Sequence, residues 1–162
     1  MPRYRRHFAP EQTVFVTLAT RRDGPRLASV RARNAVRQAL RRTQFLHPFR
    51  HVAHAILDDH VHALLHVAHG DQLPAIVACW KRAATADLGR SVWQARYHDH
   101  VIRNRHDLRR HLDYVHYNPV RHGLATDPFA WPWSSIHAWQ DRGLYPPDWG
   151  RTTPPTIDGM TE

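Results

Sequence analysis

Apolar and polar residues change period several times along the chain, and each period marks an element. TVFVTLAT, residues 13–20, is apolar and β-branched throughout, which predicts a strand. RRDGPR follows as a turn around Gly24-Pro25. Over 27–44, Leu27, Val30, Ala35, Ala39 and Leu40 recur among Arg31, Arg33, Arg37, Arg41 and Arg42, predicting a helix with one basic flank. FRHVAHAIL (49–57) and HVHALLHV (60–67) read as two strands joined at Asp58-Asp59, a hairpin. A helix is expected over 72–88, closed by Gly89, then a fourth strand over 91–102. A last helix is expected over 104–117 and to end at Asn118-Pro119, because proline disfavours helix in the residue before it.

The order strand, helix, strand, strand, helix, strand is that of the split βαβ unit. The expected class is therefore α+β: a ferredoxin-like antiparallel sheet with two backing helices, a further C-terminal helix and an irregular Trp/Pro-rich tail. One domain should fill residues 1–125, with a basic arm at 1–10, an irregular extension packed on it at 126–150 and a flexible tail at 151–162.

Composition narrows the partners. The 162 residues carry a formal charge of +9. Lys81 is the sole lysine, so nearly all of the basic charge is arginine, whose planar fork suits phosphate. GC-rich coding would also favour arginine, but the basic excess points to nucleic acid before membrane. Cys79 is alone, which excludes a disulfide framework or a cysteine zinc site. No long apolar run follows the basic N-terminus, so a signal peptide or membrane span is not expected and the cytoplasm is the natural setting.

Candidate chemistry centres on DDHVHALLHV, residues 58–67. On a strand, His60 and His62 share a face with Leu64 and His66, while Val61, Ala63, Leu65 and Val67 point to the core. Neighbouring same-face residues sit roughly 6–7 Å apart, so the pair could hold one metal ion or simply line a half-buried strand. The chain has 15 histidines, so chance pairs are not rare. On the last helix, Leu108, Leu112 and Val115 form an apolar stripe, and Asp107, His111, Tyr114 and Asn118 fall on an adjoining one. Tyr114 and Asn118 are neighbours at four-residue spacing.

Four stretches together resemble a known family: MPRYRR, DHVHAL, VWQARYHDHVI and YVHYNPVRHGL, the last followed by WPWSS and GLYPPDWG. They are similar to the REP-associated tyrosine transposases of the HUH single-tyrosine endonuclease superfamily, over residues 1–150. The resemblance implies that His60 and His62 are metal ligands, that Tyr114 is the nucleophile and that Asn118 is the third ligand. It implies Mg²⁺ or Mn²⁺ as cofactor, a single-stranded DNA or REP-hairpin partner and a monomer acting near the nucleoid. The chain departs from the family at Leu57-Asp58, where Met-Pro is usual, and at APEQT, where a Gly-rich start is usual.

Such a site would cut DNA through a 5′-phosphotyrosine and could rejoin the strand elsewhere. An unperturbed tyrosine has a pKa near about 10, so His111 or water must help remove its proton, and Asp59 is a further acceptor or supporting residue. Arg3, Arg5 and Arg6 of the arm and Arg31, Arg37 and Arg41 of the first helix are candidate phosphate contacts. Trp131 and Trp133 could stack on bases or pin the tail. Two other readings stay open: a water-using metal nuclease built on Asp59, His60 and His62, and a non-catalytic hairpin-binding protein.

Overall fold

A computed structural model describes residues 10–161, residue 10 in its backbone only. The candidate arm residues Arg3, Arg5 and Arg6 lie outside the described residues. The strands are β1 (Pro10–Ala19), β2 (Arg50–Ile56), β3 (His60–His69) and β4 (His98–Val101). The helices are α1 (Val30–Leu46), α2 (Leu73–Leu88), α3 (Arg105–Arg121) and the short α4 (Ile136–Gln140). The strands form one antiparallel sheet in the order β2-β3-β1-β4, the expected ferredoxin-like arrangement.

Strand alternation gives the sheet two different faces. Val14, Val16 and Leu18 of β1 and Val61, Ala63, Leu65 and Val67 of β3 are buried against α1 and α2. The opposite face carries Phe15, Thr17, His60, His62 and Leu64. There Ala53, Ala55 and Leu64 pack against Leu112 and Val115 of α3. The apolar stripe of α3 thus seats the helix on the imidazole face of the sheet.

Four sequence expectations need correction. First, α3 runs through Pro119 to Arg121 rather than ending before it. Proline removes one N–H but leaves its own carbonyl usable, and that carbonyl accepts from Leu124 N at 2.9 Å. Asn118 therefore stays helical, its carbonyl accepting from His122 N at 3.0 Å.

Second, β4 is four residues long, not twelve. Trp93 turns instead to α2, donating its indole N–H to the Lys81 carbonyl at 3.2 Å, and the Lys81 ammonium donates to the Gln94 carbonyl at 2.8 Å.

Third, Arg33 leaves the basic flank. It is buried in an ion pair with Asp58, its guanidinium 4.7 Å from the Trp131 ring centroid and 4.5 Å from that of Trp133. Trp131 also donates to the Ile56 carbonyl at 3.0 Å, so both tryptophans pin the extension rather than present stacking surfaces. The extension meanwhile covers the β2 edge, with Ile56 N donating to the Trp133 carbonyl at 2.9 Å.

Fourth, the tail is tied down through residue 160. Arg110 Nε donates to the Thr156 carbonyl at 2.9 Å, Thr156 Oγ1 to Asp113 Oδ2 at 2.6 Å, and Arg121 to the Met160 carbonyl at 2.9 Å. Ile157 is buried beside Tyr114 and Tyr117.

Candidate active site

The imidazole face opens into a cleft of about 900 Å³ between the sheet and α3. His60 and His62 enter it from β3 with ring centroids 4.6 Å apart. Each imidazole is oriented through Nδ1. Asp59 Oδ1 lies 2.7 Å from His60 Nδ1, and Thr17 Oγ1, directly across the sheet, lies 2.9 Å from His62 Nδ1. An N–H donated from Nδ1 leaves the lone pair on Nε2, the arrangement that supporting partners give metal-binding histidines. Burial, then the charges of His60, His122 and Arg121, hold His62 well below the ordinary histidine pKa. It is thus the neutral ring that a metal requires.

Tyr114 comes from α3. Its ring is 2% exposed, lines the cleft and stands 5.3 Å from His62, edge to face. Arg121, about two turns further along the helix, places its guanidinium 5.5 Å from the Tyr114 ring centroid. Asn118 is fully buried one turn after Tyr114. Its Nδ2 donates to the Tyr114 carbonyl at 3.4 Å, whereas its Oδ1 has no hydrogen-bond partner among the described residues. The structure therefore brings His60, His62 and Tyr114 to one cleft, with Asn118 one helical turn beyond Tyr114.

Asp59 and His111 line the same cleft but are engaged by neighbours, whereas the α1 arginines lie away from it. His111 lines the cleft, but its Nδ1 meets the Asp107 carbonyl at 2.8 Å and its ring packs on Phe15 at 4.9 Å. Asp59 is engaged by His60 and by Arg26, 3.2 Å away. Burial raises the Asp59 pKa, but the His60 hydrogen bond and the nearby positive charges outweigh it, so the net shift is downward. Arg31, Arg37 and Arg41 sit on α1, in the layer across the sheet from the imidazoles, so the structure does not bring them to the site.

Comparison with known proteins shows the family. No family model matches the chain. The REP-associated tyrosine transposase of Escherichia coli strain K12 is 33% identical over 153 residues, covering 92% of this chain and 91% of its own. A Haemophilus influenzae relative, provisionally given the same name, is 34% identical over 166 residues, covering 93% of this chain and 94% of its own. The chain belongs to the REP-associated tyrosine transposases. A solved REP-associated tyrosine transposase, bound to a REP hairpin, superposes with a TM-score of 0.84 at 31% identity, covering 100% of both chains. Against the usual family sequence, the Asp58 departure has a local reason here: its carboxylate neutralises the buried Arg33.

Two features around the site are not evident from the sequence. His122 stands with its ring 4.9 Å from that of His60. It is the next position on the stripe of Tyr114 and Asn118, and a helix expected to end at Pro119 hides it. Arg21, Arg22 and Arg26 also line the cleft. In the sequence they read as a turn, and only the pairing of the β1 end (Ala19) with the β3 start (His60) puts that turn beside the histidines.

The donor set suits a divalent cation. His62 Nε2 and Asn118 Oδ1 are both buried with no hydrogen-bond partner among the described residues. Leaving such atoms unsatisfied costs about 1–3 kcal/mol each, a cost that coordination to a cation would remove.

Proposed function

We propose that this transposase is a metal-dependent single-stranded DNA endonuclease and strand transferase acting at REP-type hairpins. The observation that carries the reading is the 5.3 Å approach of the Tyr114 and His62 rings within one cleft of one chain. A monomer would carry the whole set.

His60, His62 and Asn118 would hold Mg²⁺ or Mn²⁺, which supplies Lewis acidity toward a phosphodiester oxygen. The imidazoles and amide add no negative charge, so the site keeps its attraction for phosphate. Tyr114 Oη attacks phosphorus, its proton passing to a base in the cleft. The bond from phosphorus to the 3′ oxygen breaks, the leaving oxygen takes a proton, and the 5′ phosphate stays on Tyr114. A second 3′-hydroxyl can reverse these steps and join a different strand. Asp59 and Thr17 keep the two imidazoles turned inward. Arg21, Arg22 and Arg26, together with Arg3, Arg5 and Arg6 of the arm, would bind the strand's phosphates.

The test is a labelled REP-type hairpin with a single-stranded flank, incubated with and without Mn²⁺ and run on a denaturing gel. A Mn²⁺-dependent covalent protein–DNA band that Y114F abolishes is expected. Continued cutting by Y114F without a covalent band would replace this reading with a water-using nuclease. Tight, metal-independent binding without cutting would replace it with a hairpin-binding role.

A further inference from the structure

A second group of ligand-type side chains lies on the same cleft wall but off the tyrosine stripe's metal position. His100 comes from β4, and Asp107 and His111 from the first two turns of α3. His100 Nε2 is 2.9 Å from Asp107 Oδ2, and His111 Nδ1 is 3.1 Å from Asp107 Oδ1. The two imidazoles stack nearly flat, 4.7 Å apart with 12° between planes. One ligand atom from each residue can be chosen so that all lie within 4.8 Å of one another. Ligands about 2 Å from a tetrahedral ion lie roughly 3.3 Å apart, and because an imidazole binds a metal in its own ring plane, one of the two stacked rings would turn to close the group on a cation.

We propose that His100, Asp107 and His111 form a Zn²⁺ site that clamps the edge strand β4 to the start of the tyrosine helix. Two imidazoles and one carboxylate are the three-ligand set that zinc accepts, with a fourth position open to the cleft. Imidazole nitrogen favours Zn²⁺ over Mg²⁺. The carboxylate adds a full negative charge that the His60, His62 and Asn118 set lacks, so zinc should fill this group first. Burial keeps His111 below the ordinary histidine range. For Asp107, burial acts upward, but the Arg103 N–H and His100 outweigh it and keep the carboxyl low. Asp107 and His111 are four residues apart on a helix, which sets them side by side, and β4 supplies the third ligand from a different element. The ion would therefore report, and strengthen, the docking of α3 on the sheet edge.

This inference is independent of the strand-transfer reading, because its test reads metal binding and not cleavage. The full-length chain carrying H60A and H62A, which removes the other histidine pair, is titrated with Zn²⁺ by calorimetry. Thermal melts with and without Zn²⁺ accompany the titration. One bound equivalent and a raised melting temperature are expected. Adding H100A to that protein should weaken the binding by at least about tenfold, since losing even an outer partner of a metal costs roughly 10–100-fold. D107N, which keeps an oxygen to accept the Arg103 N–H, should do the same and guards against a folding defect in H100A. No zinc bound by the H60A/H62A protein would overturn the proposal. So would zinc binding unchanged by both H100A and D107N, which would leave the three residues as a hydrogen-bonded helix cap only.

Discussion

Asn118 offers the sharpest separation of a functional residue from a structural one. Consider N118L, made in an H100A background so that the β4–α3 group contributes no metal response. In EDTA the substitution removes a fully buried carbonyl oxygen that has no hydrogen-bond partner among the described residues. That relieves about 1–3 kcal/mol. The substitution also removes the bond from Nδ2 to the Tyr114 carbonyl, which at 3.4 Å is near the long limit of a hydrogen bond. That bond is worth at most about 0.5 kcal/mol. Leucine favours helix over asparagine by up to about 0.5 kcal/mol, and its extra bulk costs about 1 kcal/mol of crowding.

The balance is a gain of about 1 kcal/mol, or roughly 2–4 °C in melting temperature for a chain of this size. Mn²⁺ at a hundred times its Kd should stabilise the asparagine protein by about 2.7 kcal/mol, and a tenfold drop in affinity would cut that to about 1.4 kcal/mol. Thermal melts in EDTA and in Mn²⁺ give both numbers, and the denaturing gel should show no covalent band. A variant that melts lower in EDTA yet keeps the full Mn²⁺ response would refute the reasoning and make Asn118 a structural amide.

Further outcomes follow from the same geometry. Y114F should keep hairpin binding and the Mn²⁺ stabilisation while losing all covalent adduct, checked by gel shift and denaturing gel on the same samples. R22A, in the cleft, should weaken hairpin binding and lower the log–log salt slope by about 0.7, whereas R31A on the far layer should change it less; binding titrations at several salt concentrations decide this. Acid should destabilise the fold. Burial lowers His51 to about 4, His116 to about 3 and His54 well below its ordinary value. Below about pH 6.5 the unfolded chain takes up protons that these rings refuse in the native state, so unfolding gains about 1.4 kcal/mol per pH unit for each, until each native pKa is reached. Urea melts between pH 7 and 5 should show the midpoint falling steeply, and a flat midpoint would contradict the burial of these histidines.

Topology and the faces that carry the candidate site residues are legible in the order of residues alone. The β-branched run at 13–20, the alternating run at 60–67 and the arginine-edged helix between them carry period-2 and period-3.6 patterns strong enough to fix element type. Two-residue spacing on a strand puts His60 and His62 on one face, and four-residue spacing on a helix puts Tyr114 beside Asn118. Those are local rules, because backbone geometry alone enforces them.

The remainder depends on contacts that residue period does not state, several of them between distant segments. Whether α3 stops at Pro119 rests on N–H partners supplied by residues 122–125, and that outcome brings His122 beside His60. Arg33 reads as a surface charge until Asp58, Trp131 and Trp133 close around it from two other parts of the chain. The basic turn at 21–26 becomes cleft wall only through the antiparallel pairing of β1 with β3, and His100 meets Asp107 across the short turn that joins β4 to α3. Side-chain period states which face a residue occupies; only long-range contacts, fixed by burial of both sheet faces, state what that face meets.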